Sequence, residues 1–114
     1  AMGATAENLE QQYRFGRAAA DEFALRSQQL AKAAWESGVM QHELVPVPVT
    51  NRKTKVEEPF ARDEHMRPES TLETLAKLKP VFAADGVVTA GNASGINDGA
   101  GAMVVTTAEW ARAH

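Results

Sequence analysis

The stretch Val88-Thr89-Ala90-Gly91-Asn92-Ala93-Ser94-Gly95-Ile96-Asn97-Asp98-Gly99-Ala100-Gly101 decides how the rest of the chain is read. Glycines at 91, 95 and 99 let the backbone enter unusual dihedrals or come close to another chain or a ligand. Asn92, Ser94, Asn97 and Asp98 supply hydrogen-bonding groups. Composition alone leaves two readings open. One is a tight turn whose Asn and Asp side chains satisfy themselves, and the other is a backbone wall built for close contact.

Sharper motifs fail on detail. A P-loop needs Gly-Lys-Ser/Thr after its glycines, and no lysine follows Lys79. A dinucleotide fingerprint starting at Gly99-Ala100-Gly101 meets Met103 and Val104 where the third glycine belongs, and no strand leads straight into it. The spacing of Gly91, Gly95 and Gly99 imitates a small-xxx-small helix face, but Asn92, Asn97 and Asp98 exclude a lipid setting. Ser94 lacks a G-x-S-x-G frame, and the only assignable base after it is His114, so it reads as a hydrogen-bonding residue rather than a nucleophile. Asp63, Glu64 and His65 are adjacent and diverge, while His42 and His114 have no partners at ligand spacing. No metal site is assigned.

On either side of the glycine-rich stretch the pattern predicts strands. Asp85-Gly86 turns into a strand over Val87 to Ala90, and Ala102 to Thr106 reads as a buried strand before a terminal helix over Ala108 to Ala113. Upstream, Ser70-Thr71-Leu72-Glu73 has the form of a capping box, with Leu72, Leu75 and Leu78 at helical spacing until Pro80. The mixed charges of Thr50 to Arg67 predict a solvated loop or irregular hairpin, and Glu43 to Val49, with Pro46 and Pro48, predicts an edge strand.

Two helices are expected at the front. Arg17 to Ser37 lacks glycine and proline, places Phe23, Ser27, Leu30, Ala31, Ala34 and Trp35 on one side, and ends at Gly38 as its cap. Gln29, Lys32 and Glu36 take the opposite side, with Leu25 as an apolar exception. Before it, Thr5 to Phe15 forms a helix capped by Thr5, with Glu7 in the first turn and Gly16 as the stop. No internal repeat is visible. The composition is α/β, yet only about three strands are available against the five or six of an average sheet, so the sheet looks incomplete.

At 114 residues, 44% hydrophobic and 24% charged, the chain has the makeup of one globular unit with a modest core. Twelve Lys+Arg against fifteen Asp+Glu leave a formal charge of -3, with no basic cluster to meet a nucleic-acid backbone. The longest apolar run, Ala100 to Val105, is far below the roughly twenty residues of a membrane span, and no charged-then-apolar leader opens the chain. A soluble, cytoplasmic chain is expected. The start at Ala1 without an initiator methionine is expected of a fragment, a processed product or an expression remnant. The absence of cysteine removes disulfides, thiolate metal sites and cysteine nucleophiles from these residues.

Five motifs, taken in order, resemble a known family. They are Met2-Gly3-Ala4-Thr5-Ala6-Glu7-Asn8, Asp21-Glu22-Phe23-Ala24-Leu25-Arg26-Ser27-Gln28, Asp63-Glu64-His65-Met66-Arg67-Pro68-Glu69, Leu75-Ala76-Lys77-Leu78-Lys79-Pro80 and Val88 to Ala100. Together they strongly resemble the thiolases, that is the acetyl-CoA acetyltransferases and 3-oxoacyl-CoA thiolases, over essentially the whole chain. The resemblance implies a thiolase-like α/β fragment from the middle of the enzyme. Residues 1–86 would be a segment of the loop domain that wraps coenzyme A, and residues 87–114 the last strand and helix region of the N-terminal half.

The family's nucleophilic cysteine lies before this region, and its histidine and second, acid/base cysteine lie after it, so the resemblance assigns no catalytic residue here. It does assign binding residues. Ser94, with Ala93 and Gly95 beside it, would contact the pantetheine arm, and Ala90 and Phe82 would lie along the acyl and pantetheine channel. Met2 would face the acyl group, Arg67 the adenosine and phosphate end, and Thr74 and Leu75 the adenine. Ala1 stands where the family often has histidine. The chemistry agrees: small residues let a thioester arm pass close to backbone, and a guanidinium suits a phosphate or a purine face.

The implied function is acyl transfer between acyl-CoA thioesters by Claisen condensation or its thiolytic reverse. Coenzyme A is then a substrate, and no resident cofactor is expected. The implied partners are acyl-CoA, the remaining thiolase halves and, when complete, further copies in a homo-oligomer. The alternatives are a non-catalytic coenzyme A-binding piece and a chain-association piece that uses its unsatisfied sheet edge.

Overall fold

In the computed structural model, residues 2–114 are described, and Ala1 lies outside them. Helix α1 runs over Met2–Tyr13 and α2 over Gly16–Glu36. The first helix therefore begins ahead of Thr5, which sits inside it rather than capping it, since Met2, Ala4 and Ala6 are all good helix formers. Gly16 opens α2 instead of only stopping α1. The break falls at Arg14, whose left-handed φ of 54° precedes Gly16 at 73°. The other end of α2 closes as its sequence predicts. Gly38 takes a φ of 77°, and its amide reaches the Trp35 carbonyl at 3.2 Å.

The buried side of α2 is not the predicted one. Asp21 and Ala24 are buried, whereas Phe23 is 73% exposed and Leu30 is also open to solvent. Ala31, Ala34 and Trp35 line an open cavity of about 540 Å³ rather than a closed core. The reason is polar. Arg17 and Asp21, one turn apart, are drawn to partners on later elements, and their bonds turn that side of the helix inward.

After a 3-10 turn over Val39–His42, strands β1 (Val47–Thr50) and β2 (Glu57–Phe60) form an antiparallel hairpin. The Asn51 amide donates to the Val56 carbonyl at 2.9 Å, so by antiparallel alternation Pro48 faces Pro59 at a non-hydrogen-bonded position, where the ladder needs no N–H from either. The connecting loop is an Asx turn in which Asn51 Oδ1 accepts the amides of Lys53 and Thr54. The charged stretch thus supplies only the loop and β2, while β1 comes from the end of the predicted edge strand, which forms over Val47–Thr50 rather than Glu43 to Val49, and every residue of both strands is exposed.

Helix α3 spans Leu72–Ala76, and its cap lies one residue later than expected. Thr71, not Ser70, is the N-cap, and it exchanges hydrogen bonds with Thr74. Ser70 instead donates to the Arg67 carbonyl at 2.8 Å. Helix α4 covers Ala108–Ala113 as predicted, capped by the Thr107 hydroxyl.

Neither predicted C-terminal strand forms. Thr89 makes a single bridge with Pro80, and residues 101–107 carry no regular structure. Met103, Val104 and Val105 are between 85% and 87% exposed. A β-branched run becomes a strand only beside another strand, and none is offered here. The small core consists of Ala24, Leu75, Val87 and Val88 around the fully buried Thr89.

Candidate functional site

The turn at Thr89–Ala93 is held from behind by α1, α2 and α3. Glu7 on α1 is 6% exposed, and its two carboxylate oxygens accept the amides of Val87 and Val88, each at 3.0 Å. A side chain at Gly86 would overlap that carboxylate. Asn92 folds back on its own turn, with Oδ1 accepting the Thr89 amide at 2.7 Å and Nδ2 donating to the Val87 carbonyl at 2.9 Å. The same Nδ2 donates to Asp21 Oδ1 at 2.9 Å.

Asp21 is 4% exposed and also accepts Arg17 Nε at 2.7 Å. Arg17 Nη2 continues to the carbonyls of Leu75, in α3, and Leu78, just beyond it, at 2.6 and 3.0 Å. Among the described residues, every buried side-chain nitrogen and oxygen has a partner. Gly91 completes the packing, because a Cβ there would stand 2.5 Å from Leu75 Cδ2 and 2.6 Å from Leu78 Cδ1.

In front of this scaffold lies a cavity of about 760 Å³. Met2 lines it from the start of α1, Phe82 from the loop after α3, and Ala93, Ser94 and Gly95 from the glycine-rich stretch. Its size suits a small-molecule ligand, and its walls are mostly apolar with few polar groups, the usual makeup of such sites. Two glycines keep the walls thin: a side chain at Gly3 would overlap the Phe82 ring, and one at Gly95 the His65 imidazole.

Five of the predicted binding residues, Met2, Phe82, Ala93, Ser94 and Gly95, therefore meet around one space. Arg67 and Thr74 meet elsewhere, at a shallow depression of about 320 Å³. There the Arg67 guanidinium braces its own loop, with Nη1 donating to the carbonyls of Glu64, His65 and Met66. Its backbone amide donates to Gln28 Oε1 at 2.7 Å. Thr74 belongs to the cap of α3. Leu75 is in the core, and Ala90 sits exposed on the turn outside the cavity lining.

Sequence reasoning missed the joint role of Arg17, Asp21 and Asn92. The signal available was an Arg and an Asp four residues apart on a helix, which reads as an ordinary surface pair until a third partner is known.

Residues 1–109 match the family model described as thiolase, N-terminal domain. The β-ketoadipyl-CoA thiolase of Pseudomonas putida is 52% identical over 115 residues, covering 99% of this chain and 28% of that protein. Among solved structures, the acetyl-CoA acetyltransferase of Bacillus anthracis superposes with a TM-score of 0.79 at 52% identity, over 85% of this chain and 24% of the other. Human mitochondrial 3-ketoacyl-CoA thiolase, solved in complex with CoA, gives 0.75 at 47% identity, over 83% and 22%. The chain spans about 28% of the length of the curated relatives it matches. A family match running over nearly all of these residues, joined to structural likeness at about half identity, makes this chain a member of the thiolase family that carries part of its N-terminal domain.

Proposed function

We propose that this segment forms one wall of a coenzyme A thioester site in a thiolase that transfers acyl groups between acyl-CoA thioesters. The observation that carries this reading is the meeting of Met2 with Phe82 and the Ala93-Ser94-Gly95 wall, more than half the chain away, around one cavity of about 760 Å³. Apolar walls and thin glycine contacts suit a narrow pantetheine arm, and the Ser94 hydroxyl suits its amides. Arg67 and Thr74 would meet the nucleotide end, and the charge of Arg67 would favour phosphate. The solved human relative at 47% identity is a complex with CoA, which supports the ligand class.

Since these residues include no cysteine, a thiolate elsewhere in the polypeptide accepts the acyl group in this reading. The exposed run at Met103 to Val105 favours a second role for the same segment, joining the remaining thiolase halves. A homo-oligomer of the complete enzyme belongs to the same reading.

The test is calorimetry on a full-length thiolase containing this segment, with coenzyme A and with a pantetheine thioester lacking the nucleotide. Ser94→Ala should weaken both ligands by roughly 0.5–1.5 kcal/mol, the worth of one neutral hydrogen bond. Arg67→Ala should weaken only coenzyme A, by about 1–3 kcal/mol if its contact is desolvated. Unchanged affinities in both variants would overturn the assignment.

A further inference from the structure

Two separate depressions carry the proposed ends of the coenzyme A site, and one unbroken set of polar bonds runs between the elements that bear them. From α3, which holds Thr74, and the turn just after it, the carbonyls of Leu75 and Leu78 accept Arg17 Nη2 at 2.6 and 3.0 Å. Arg17 Nε reaches Asp21 Oδ2 at 2.7 Å, and Asp21 Oδ1 accepts Asn92 Nδ2 at 2.9 Å. Asn92 then holds the Thr89 amide and the Val87 carbonyl, and the next three residues are the Ala93-Ser94-Gly95 wall.

We propose that Arg17, Asp21 and Asn92 are positioning residues that set the spacing between the nucleotide end and the pantetheine end of the site. The inference rests on the coenzyme A reading above. None of the three needs to touch the reacting thioester for this role. Each bond is directional and most are charge-assisted, so the set resists sliding in a way that non-directional apolar packing does not. Asp21 is the junction. It receives one donor on each oxygen, so Asp21→Asn, nearly identical in shape, must set an NH₂ against either Arg17 or Asn92 and cut the set there. Arg17→Lys keeps the charge, but one ammonium cannot fork to Asp21 and to both the Leu75 and Leu78 carbonyls.

A ligand that engages both ends gains from having them correctly spaced, whereas either half alone does not. The experiment therefore measures three ligands on the full-length thiolase containing this segment: intact coenzyme A, a pantetheine thioester without nucleotide, and 3′-phosphoadenosine diphosphate. In Asp21→Asn and Arg17→Lys the affinity for intact coenzyme A should fall about tenfold or more, while the affinity for each half stays at the parent value. Circular dichroism melting run in parallel establishes that each variant is folded at the assay temperature. If Asp21→Asn does not fold, Arg17→Lys carries the comparison. If neither folds, the three residues hold the fold rather than the spacing, and the proposal fails. An equal fall for coenzyme A and both halves, or no change at all, would also overturn it. A parent protein that does not bind intact coenzyme A would overturn the coenzyme A reading itself, whereas a parent that binds it leaves that reading standing whatever the variants do.

Discussion

Glu7 concentrates two long-range bonds in one side chain. Its carboxylate satisfies the Val87 and Val88 amides from the far end of the chain, so Glu7→Gln must present an NH₂ to one of them. An amide left unpaired in a buried place costs about 1–3 kcal/mol. In a full-length thiolase containing this segment, hydrogen exchange at Val87 or Val88 should therefore speed up in Glu7→Gln, with distant amides unchanged. Equal protection in both proteins would show that the two bonds are dispensable. Glycines divide on the same logic. Gly91→Ala would drive a methyl into Leu75 and Leu78, where Leu75 is buried and cannot swing aside, and should destabilise by about 1–3 kcal/mol. Gly99→Ala meets nothing within 4 Å and should be close to neutral. Comparing the two melting temperatures tests whether close approach is the reason for glycine at 91.

At the scale of elements, helix starts were legible only to within a few residues. Ser70-Thr71-Leu72-Glu73 satisfies the capping-box pattern, but Thr71 with Thr74 satisfies the geometry, and the two readings differ by one residue. The competition was settled by Ser70 finding the Arg67 carbonyl, a partner outside the motif. Thr71→Ala should accordingly cost about 1 kcal/mol, the usual worth of a cap, and Ser70→Ala clearly less. Urea denaturation of both variants measures the difference, and a larger loss for Ser70→Ala would return the cap to Ser70. Helix α4 was legible because its start, Thr107 before Ala108, depends only on neighbouring residues.

The molecule as a whole is open. Its radius of gyration is 19.4 Å, against about 13 Å for a compact chain of this length. Phe23, Leu30, Ile96 and the run Met103 to Val105 stand in solvent, which is more apolar surface than a self-sufficient monomer usually shows. The isolated 114-residue chain should therefore associate with itself, with an apparent mass by light scattering that rises with concentration. It should also show no acetoacetyl-CoA thiolysis above background, because it has no thiol to accept the acyl group. A concentration-independent monomer that melts cooperatively would mean that the segment closes its own core.

By itself the sequence determined what is local or carried by a long motif: the two front helices, the Gly38 stop, the terminal helix and, through the Val88 to Ala100 signature, the thiolase family. It also named Met2, Phe82, Ala93, Ser94 and Gly95 before they were seen to meet, because the family pattern encodes a contact that periodicity does not. Only the tertiary structure decided which side of α2 is buried, since the side chosen is the one whose Arg17 and Asp21 find acceptors and donors on remote elements. It likewise decided that Val87 to Ala90 and Ala102 to Thr106 are not strands. A strand is a property of two neighbours, and a β-branched apolar run within one segment cannot supply the missing one.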